Sequence, residues 1–356
     1  MNNNYSIIMA GGIGSRFWPM SIPEKPKQFL DVLGIGKSLI QMTYERLLNI
    51  SPNENIYIVT NAEYKNLVLE QLPSLNPSQI LTEPERKNTA PCIAYAAGKI
   101  HSINKNATLI ISPADHLILQ EDNFKRSIEI SIDGASNDKI ITIGIQPTRP
   151  DTGYGYIEVE ENNKTENNKV IPVKQFREKP NLKTANDFLN CGNFFWNSGI
   201  FIWKTSTVIN ALKKFQPSLF KLFCEDLSIY NNDNEQKVIN SAFASCDDIS
   251  IDFAIMEHAK NIDVVLANFD WSDLGTWGSL DLHLNKDKNN NAVIGNKINT
   301  FNTKNCIINI PEDKTALIDG LDGYIIIQSD DKLMILEKEN EQELKKYIST
   351  IKKSNN

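Results

Sequence analysis

Short apolar runs at residues 6–9, 56–59, 108–112 and 140–145 alternate with longer stretches, such as 39–50 and 89–103, whose apolar residues recur at helical spacing. This alternation restricts the chain to an α/β architecture. A helix between two strands returns the chain so that the strands run parallel and both sheet faces are covered. The expected fold is a Rossmann-like, mainly parallel sheet flanked by helices. The 356 residues exceed the size at which a single core stops growing, about 250–300 residues, so a second, smaller unit is expected. An Asn/Lys/Asp-rich stretch at 285–291 marks the boundary, giving one domain over residues 1–284 and another over 285–356. The second carries β-like pieces at 292–294, 306–310, 315–318, 324–328 and 333–336, and closes with a charged helix at 340–352. Residues 215–239 read as helical with a polar break at 231–234, and the polar segment 160–169 reads as a solvated hairpin tip.

A formal net charge of -7 excludes a general nucleic-acid binder, which needs a basic surface to displace counterions. Any phosphate site must therefore be local. No apolar run approaches the ~20 residues of a membrane span, so no membrane partner is expected. The N-terminus lacks the basic start and apolar stretch of a signal peptide, which points to the cytoplasm. Five scattered cysteines, Cys92, Cys191, Cys224, Cys246 and Cys306, fit reduced thiols rather than a zinc site or disulfide framework.

The first apolar run opens into Ala10-Gly11-Gly12-Ile13-Gly14-Ser15-Arg16-Phe17-Trp18-Pro19. Its glycines allow tight turns and let backbone N–H groups approach a phosphate closely. Arg16, with Lys25 and Lys27 shortly after, concentrates positive charge at this point of an acidic chain. Phe17 stands where the dinucleotide fingerprint would have its third glycine, which argues against a hydride-transfer enzyme. Asp115 directly follows the strand-like 109–112, placing it at the C-terminal edge, where such sheets bind ligands. Asp273 lies between Trp271 and Trp277, and either aspartate alone reads equally as a cap or turn former.

The loop together with Pro26-Lys27-Gln28-Phe29 resembles the signature of the mannose-1-phosphate guanylyltransferases. Further matching blocks follow in that family's order: Glu83-Pro84 with Lys87-Asn88-Thr89-Ala90-Pro91, Pro113-Ala114-Asp115-His116, Gly153-Tyr154-Gly155-Tyr156-Ile157 and Phe176 with Glu178-Lys179-Pro180. Trp196-Asn197-Ser198-Gly199-Ile200-Phe201, the block from Ser250 to Glu257, and Trp271-Ser272-Asp273-Leu274-Gly275-Thr276-Trp277 complete the series over residues 10–277. The stretch from Gly320 to Leu336 is similar to the family's C-terminal segment. Lys87 stands where many members carry Arg, keeping the charge without the planar fork.

The resemblance implies transfer of GMP from GTP to α-D-mannose 1-phosphate, Mg²⁺ dependence, and a C-terminal left-handed parallel β-helix. The expected assembly is a homodimer. By resemblance, Arg16 and Lys27 hold the triphosphate and pyrophosphate, Gly11, Gly12 and Gly14 support the nucleotide, and Glu83, Asn88 and Thr89 read the guanosine. Gly155, Glu178, Lys179 and Asn197 take the sugar phosphate, with Asp115 and Asp273 as the oxygen ligands a hard cation prefers. Longer relatives carry an isomerase domain for which this chain leaves no room, so no isomerase activity is expected. Residues 285–356 contain none of the named site residues and are expected to be scaffold. The competing readings are a nucleotidyltransferase for another hexose 1-phosphate or nucleoside triphosphate, and a nucleotide-sugar sensor on the same fold. A sensor would not need Arg16, Lys27, Asp115 and Asp273 together.

Overall fold

A computed structural model describes residues 3–161 and 169–354. The expected hairpin tip at 160–169 lies, except for its ends, outside the described residues. The chain forms two compact units, each discontinuous in sequence. The first comprises Met1–Gly11, Thr43–Ala114 and Ile118–Trp271; the second comprises Gly12–Met42, Asp115–Leu117 and Ser272–Asn356.

The first unit is built on a ten-stranded sheet. Its first half uses β1 (Asn4–Ala10), β2 (Ile56–Asn61), β3 (Ile80–Glu83) and β4 (Thr108–Pro113), and a two-residue β5 (Leu117–Ile118) follows in the chain. Then come β6 (Ile140–Ile145), β7 (Tyr156–Glu158), β8 (Val170–Pro172), β9 (Gln175–Arg177), β10 (Phe194–Lys204), β11 (Ile262–Leu266) and the short β12 (Trp271–Ser272). The spatial order is β3-β2-β1-β4-β10-β6-β11-β8, with β7 on β10 and β9 on β7. The first four strands are mutually parallel, as are β6 and β11, which gives the expected mixed α/β sheet with flanking helices. Antiparallel pairs enter at β10, which runs between β4 and β6, at β8 on β11, and at β7 and β9. The reversal of β10 brings Asn197, paired with Gly144, to the edge where the parallel strands end in Ala10, Glu83 and Pro113. That edge collects ligand-binding groups in sheets of this kind.

The helix Thr89–Ile103 is buried from Ala90 to Ile100, and its Tyr95 ring stacks at 6.2 Å on Tyr230 and meets Phe243 edge-on at 6.2 Å. Over 215–239 the chain departs from a single helix. One helix ends at Phe215, a second runs Pro217–Phe223, and a third begins only at Glu235. Pro217 has no N–H to donate to the preceding turn, so the helix must restart there. Asn231 turns the chain further with φ 62°.

In the second unit, β13 (Ala292–Ile294), β15 (Ile307–Asn309) and β17 (Tyr324–Ser329) pair in parallel, and β14 (Ile298–Phe301) pairs in parallel with β16 (Ala316–Asp319). β18 (Lys332–Glu337) returns antiparallel on β17. Alternate side chains of these strands serve two cores. Ile308 and Ile326 pack in one core with Cys306, Ile310 and Ile318. Ile307, Ile325 and Ile327 face the other way and pack with Phe17, Leu30, Leu39, Leu274 and Trp277. The period of two thus makes each strand a shared wall, and each Ile fully buried against the loop-bearing side contributes about 1.5–3 kcal/mol. Among the described residues, no helix is long and apolar enough to cross a membrane.

The start of this strand region is tied together by Asn291, which is fully buried. Its amide donates to the Thr303 carbonyl at 3.0 Å and to Asp287 Oδ2 at 3.1 Å, and its Oδ1 accepts from the Cys306 N–H at 3.0 Å. Asn291→Ala strands a buried donor and a buried acceptor and should destabilise the second unit by roughly 2–3 kcal/mol. Denaturant unfolding of the variant checks this, and a midpoint equal to that of the parent chain would refute it.

Candidate active site

The second unit holds Gly12, Gly14, Arg16, Lys27, Asp115 and Asp273. Gly14 takes a left-handed conformation, φ 69°, and starts the short turn Ser15–Phe17 that presents Arg16 to solvent. A Cβ at Gly14 would lie 2.3 Å from Lys27 Cβ, so glycine is required both for the turn and for the passage of the lysine stem. The Lys27 N–H donates to the Ile13 carbonyl at 3.2 Å, which ties the lysine back to the loop.

Lys27 is 4% exposed, and its ammonium is saturated by three acceptors. Nζ lies 2.8 Å from Asp115 Oδ2 and donates to the carbonyls of Asp273 at 2.7 Å and Leu274 at 3.1 Å. It also sits 5.7 Å from the Phe17 ring centroid. A buried ammonium is tolerable only when its protons are satisfied in this way. Leu274 adopts φ 46°, a strained value for a γ-branched residue, and the Ser272 and Asp273 side chains brace the turn by accepting from the N–H groups of Leu274 and Gly275. Burial of Asp115 would raise its pKa, but the Lys27 and His116 charges and the hydrogen bond from Lys27 outweigh it, so the carboxyl titrates below its ordinary value.

Arg16, Lys27, Asp115, His116 and Asp273 line one cleft of about 270 Å³. The structure therefore brings together the two cations and the two carboxylates named from sequence, although they derive from three separate chain segments. Gly12 lies in the same unit. Lys345, from the C-terminal helix Leu344–Ser354, also lines this cleft, and nothing in the sequence pattern singles it out. Trp18 lines a different cleft, with Ile348 and Ile351.

The first unit carries the remaining site residues in two groups. Glu83 ends β3 and is 5% exposed, with Oε2 3.9 Å from where a Gly11 Cβ would stand and, among the described residues, no hydrogen-bond partner for Oε1. Burial pushes its pKa up to about 8, against the lowering effects of the Cys92 hydrogen bond and Arg86. Asn88, at φ 65°, caps the helix Thr89–Ile103 by accepting from the Thr89 N–H at 3.0 Å. Thr89 Oγ1 accepts from the Ile251 N–H at 2.9 Å, so its hydroxyl is already committed to holding residues 249–251.

In the second group, a Cβ at Gly155 would come within 2.5 Å of Glu178 Oε2 and 3.5 Å of Asn197 Cβ, so the missing side chain leaves room for the carboxylate. The Gly155 carbonyl accepts from the Asn197 N–H at 2.8 Å, and Glu178 Oε1 lies 2.5 Å from Lys179 Nζ. Asn197 Nδ2 donates to Asp252 Oδ1 at 3.0 Å, and its Oδ1 accepts from Thr142 at 2.8 Å. Asp252 is the residue that sequence reasoning passed over, although it lies inside a quoted block. Burial, then the nearby Glu178 charge, raises its pKa to about 7, with Lys179 partly offsetting.

Among the described residues, no group of three or more His, Cys, Asp or Glu side chains is arranged to hold a metal. The pair Asp115 and Asp273 nevertheless fits a hard cation whose other ligands are substrate phosphates and waters, the usual arrangement for Mg²⁺.

The nucleotidyl transferase family model matches residues 5–290. A mannose-1-phosphate guanylyltransferase of Salmonella typhimurium, RfbM, is 36% identical over 98% of this chain and 72% of its own length. An Escherichia coli mannose-1-phosphate guanylyltransferase is 34% identical over 98% of this chain and 74% of its own. Among solved structures, a Thermus thermophilus protein described as a mannose-1-phosphate geranyltransferase superposes with a TM-score of 0.85 at 25% identity, covering 98% of this chain and 99% of that one.

Glu83 holds a proton in the folded state up to about pH 8 that the unfolded chain releases near its ordinary value of 4.5. Its raised pKa therefore stabilises the fold fully at low pH, and that contribution is lost as pH rises through 8. Glu83→Gln should gain stability relative to the parent chain as pH rises from about 5 to about 9. Melting curves across that range check this, and a constant difference would show that Glu83 is ionised throughout.

Proposed function

Because the chain belongs to the mannose-1-phosphate guanylyltransferase family of nucleotidyl transferases, we propose that it transfers GMP from GTP to α-D-mannose 1-phosphate, giving GDP-mannose and pyrophosphate. The observation that carries this reading is the cleft in which Arg16 and Lys27 stand with Asp115 and Asp273. Two cations beside two carboxylates suit neither acyl transfer nor hydride transfer. They suit phosphates, whose charge they neutralise and orient.

A phosphate oxygen of mannose 1-phosphate attacks the α-phosphorus of GTP, an O–P bond forms, and the bond between the α-phosphorus and the oxygen leading to the β-phosphate breaks. With a second pKa near ~6, the sugar phosphate arrives ionised and needs no general base. Arg16 meets the charge that develops on the departing pyrophosphate, and Lys27, whose three N–H groups are already engaged, acts on the reacting centre through its positive charge. The fixed position of Lys27, set by its carbonyl partners, means that little reorganisation is needed as that charge forms. Asp115 and Asp273 are the residues that would hold Mg²⁺. When bound, the ion offsets repulsion between the two anionic substrates.

In the first unit, Glu83, Asn88 and Thr89 are assigned to the guanosine and Gly155, Glu178, Lys179 and Asn197 to the sugar phosphate, with Asp252 orienting Asn197. For Thr89 the committed hydroxyl supports a positioning role, in which it keeps residues 249–251 beside the capped helix. The parallel pairing of Ile298 with Ala316 and of Ile307 with Ile325, both 18 positions on, supports a left-handed β-helix within the domain 285–356. Exposed Phe301 and Leu317 on its neighbouring strands support a homodimer.

Supplied with Mg²⁺, the four common nucleoside triphosphates and a panel of sugar 1-phosphates, the protein should release pyrophosphate with the highest kcat/KM for GTP with mannose 1-phosphate. Preference for UTP or dTTP, or for another hexose 1-phosphate, would replace this assignment.

A further inference from the structure

We propose that Lys345, in the first turn of the C-terminal helix, is a third phosphate-binding cation of this enzyme and takes the terminal phosphates of the nucleoside triphosphate and the pyrophosphate they become. The inference rests on the nucleotidyl-transfer reading and extends it to a part of the chain expected to be scaffold.

Lys345 lines the same cleft as Arg16, Lys27, Asp115 and Asp273. Its backbone is held there by its neighbours. Leu344 is 3% exposed and packs in the core that contains Phe17, Leu274 and Trp277, the residues around the glycine loop and the Asp273 turn. Ile348, one turn further along the helix, packs against the same core. On the other side, Glu341 Oε2 accepts from the Gly278 N–H at 2.8 Å, tying the approach to the helix to the short helix Trp277–Asp281 that follows the Asp273 turn. Lys345 is thus fixed at its base from both directions while its side chain remains exposed. The adjacent Lys346 is instead committed to Glu343 at 3.0 Å. Among the described residues, Lys345 makes no ion pair.

Charge counting explains what the lysine adds. Arg16 and Lys27 carry two positive charges into the cleft, and Asp115 and Asp273 carry two negative ones, so those four side chains are together neutral. Lys27 is already bound to Asp115. Lys345 gives the cleft a net positive charge before any cation arrives, which raises the local concentration of an anionic substrate. Exposed Arg16 and Lys345 suit the terminal phosphates and the leaving group, which stay partly hydrated, while buried Lys27 suits the reacting centre.

The test compares Lys345→Ala and Lys345→Arg with the parent enzyme in both directions of the reaction, alongside melting temperature. Lys345→Ala should raise KM for GTP and, in the reverse reaction, for pyrophosphate by about tenfold, while KM for mannose 1-phosphate changes less than about twofold and the melting temperature stays put. Lys345→Arg, which keeps the charge, should recover most of the loss. Unchanged KM values for GTP and pyrophosphate in Lys345→Ala, or a Lys345→Arg enzyme no better than Lys345→Ala, would overturn the proposal, because a purely structural lysine has no reason to separate these substrates. If the parent protein forms no pyrophosphate from any substrate pair, the functional reading fails instead. Calorimetric titration with pyrophosphate then still decides whether Lys345 binds it, with equal affinity in parent and Lys345→Ala counting against the site.

Discussion

The ammonium of Lys27 is the constraint around which the second unit is arranged. In a residue only 4% exposed, its protons are satisfied by Asp115 and two main-chain carbonyls, those of Asp273 and Leu274. Those partners come from chain segments far from the lysine in sequence. The strained Leu274, the bare Gly14 that lets the lysine stem pass, and the Phe17 ring under the ammonium all follow from that arrangement. The C-terminal strands then have a clear physical task, since Ile307, Ile325 and Ile327 form the apolar wall behind Phe17 and Trp277. Support of the active-site loop and the loop itself are one core.

The first unit solves a different electrostatic problem. Glu83 and Asp252 are carboxyls whose surroundings favour the neutral form, through burial in both cases and through Glu178 as well for Asp252. Strongly perturbed carboxyls cluster at functional sites, and structural charge networks perturb them too. Among the described residues, Oε1 of buried Glu83 has no hydrogen-bond partner, whereas Asp252 accepts from Asn197.

Much of this was legible in the sequence, for reasons that differ by residue. The strands β1, β4 and β6 were readable because they are buried on both faces and so appear as unbroken apolar runs. The helix Thr89–Ile103 matched its expected bounds because an Asn cap and an apolar stripe define it locally. The antiparallel course of β10 was not readable, since strand direction depends on the connection and leaves no trace in the apolar pattern. The restart at Pro217 was readable in principle and missed. Arg16, Lys27, Asp115 and Asp273 were found because they stand in dense motifs of glycine, proline and aromatic residues. Asp252 was passed over because only its contact with Asn197 distinguishes it. Lys345 gave no signal at all: on a helix rich in lysine, only the tertiary packing of Leu344 reveals which one faces the cleft.

The central claim is that Lys27 is both the tie of the loop and the cation that meets the reacting phosphates. The most direct measurement is kcat/KM for pyrophosphate release by Lys27→Ala, taken with its circular dichroism and melting curve. One fixed positive charge beside a developing anion in a water-poor site corresponds to at least about 10²-fold in rate. The account therefore predicts a loss of that size in a variant that still shows the parent's secondary structure, with some lowering of the melting temperature from the released turn. A folded Lys27→Ala enzyme with kcat/KM within about threefold of the parent would contradict it and leave Lys27 a structural tie alone.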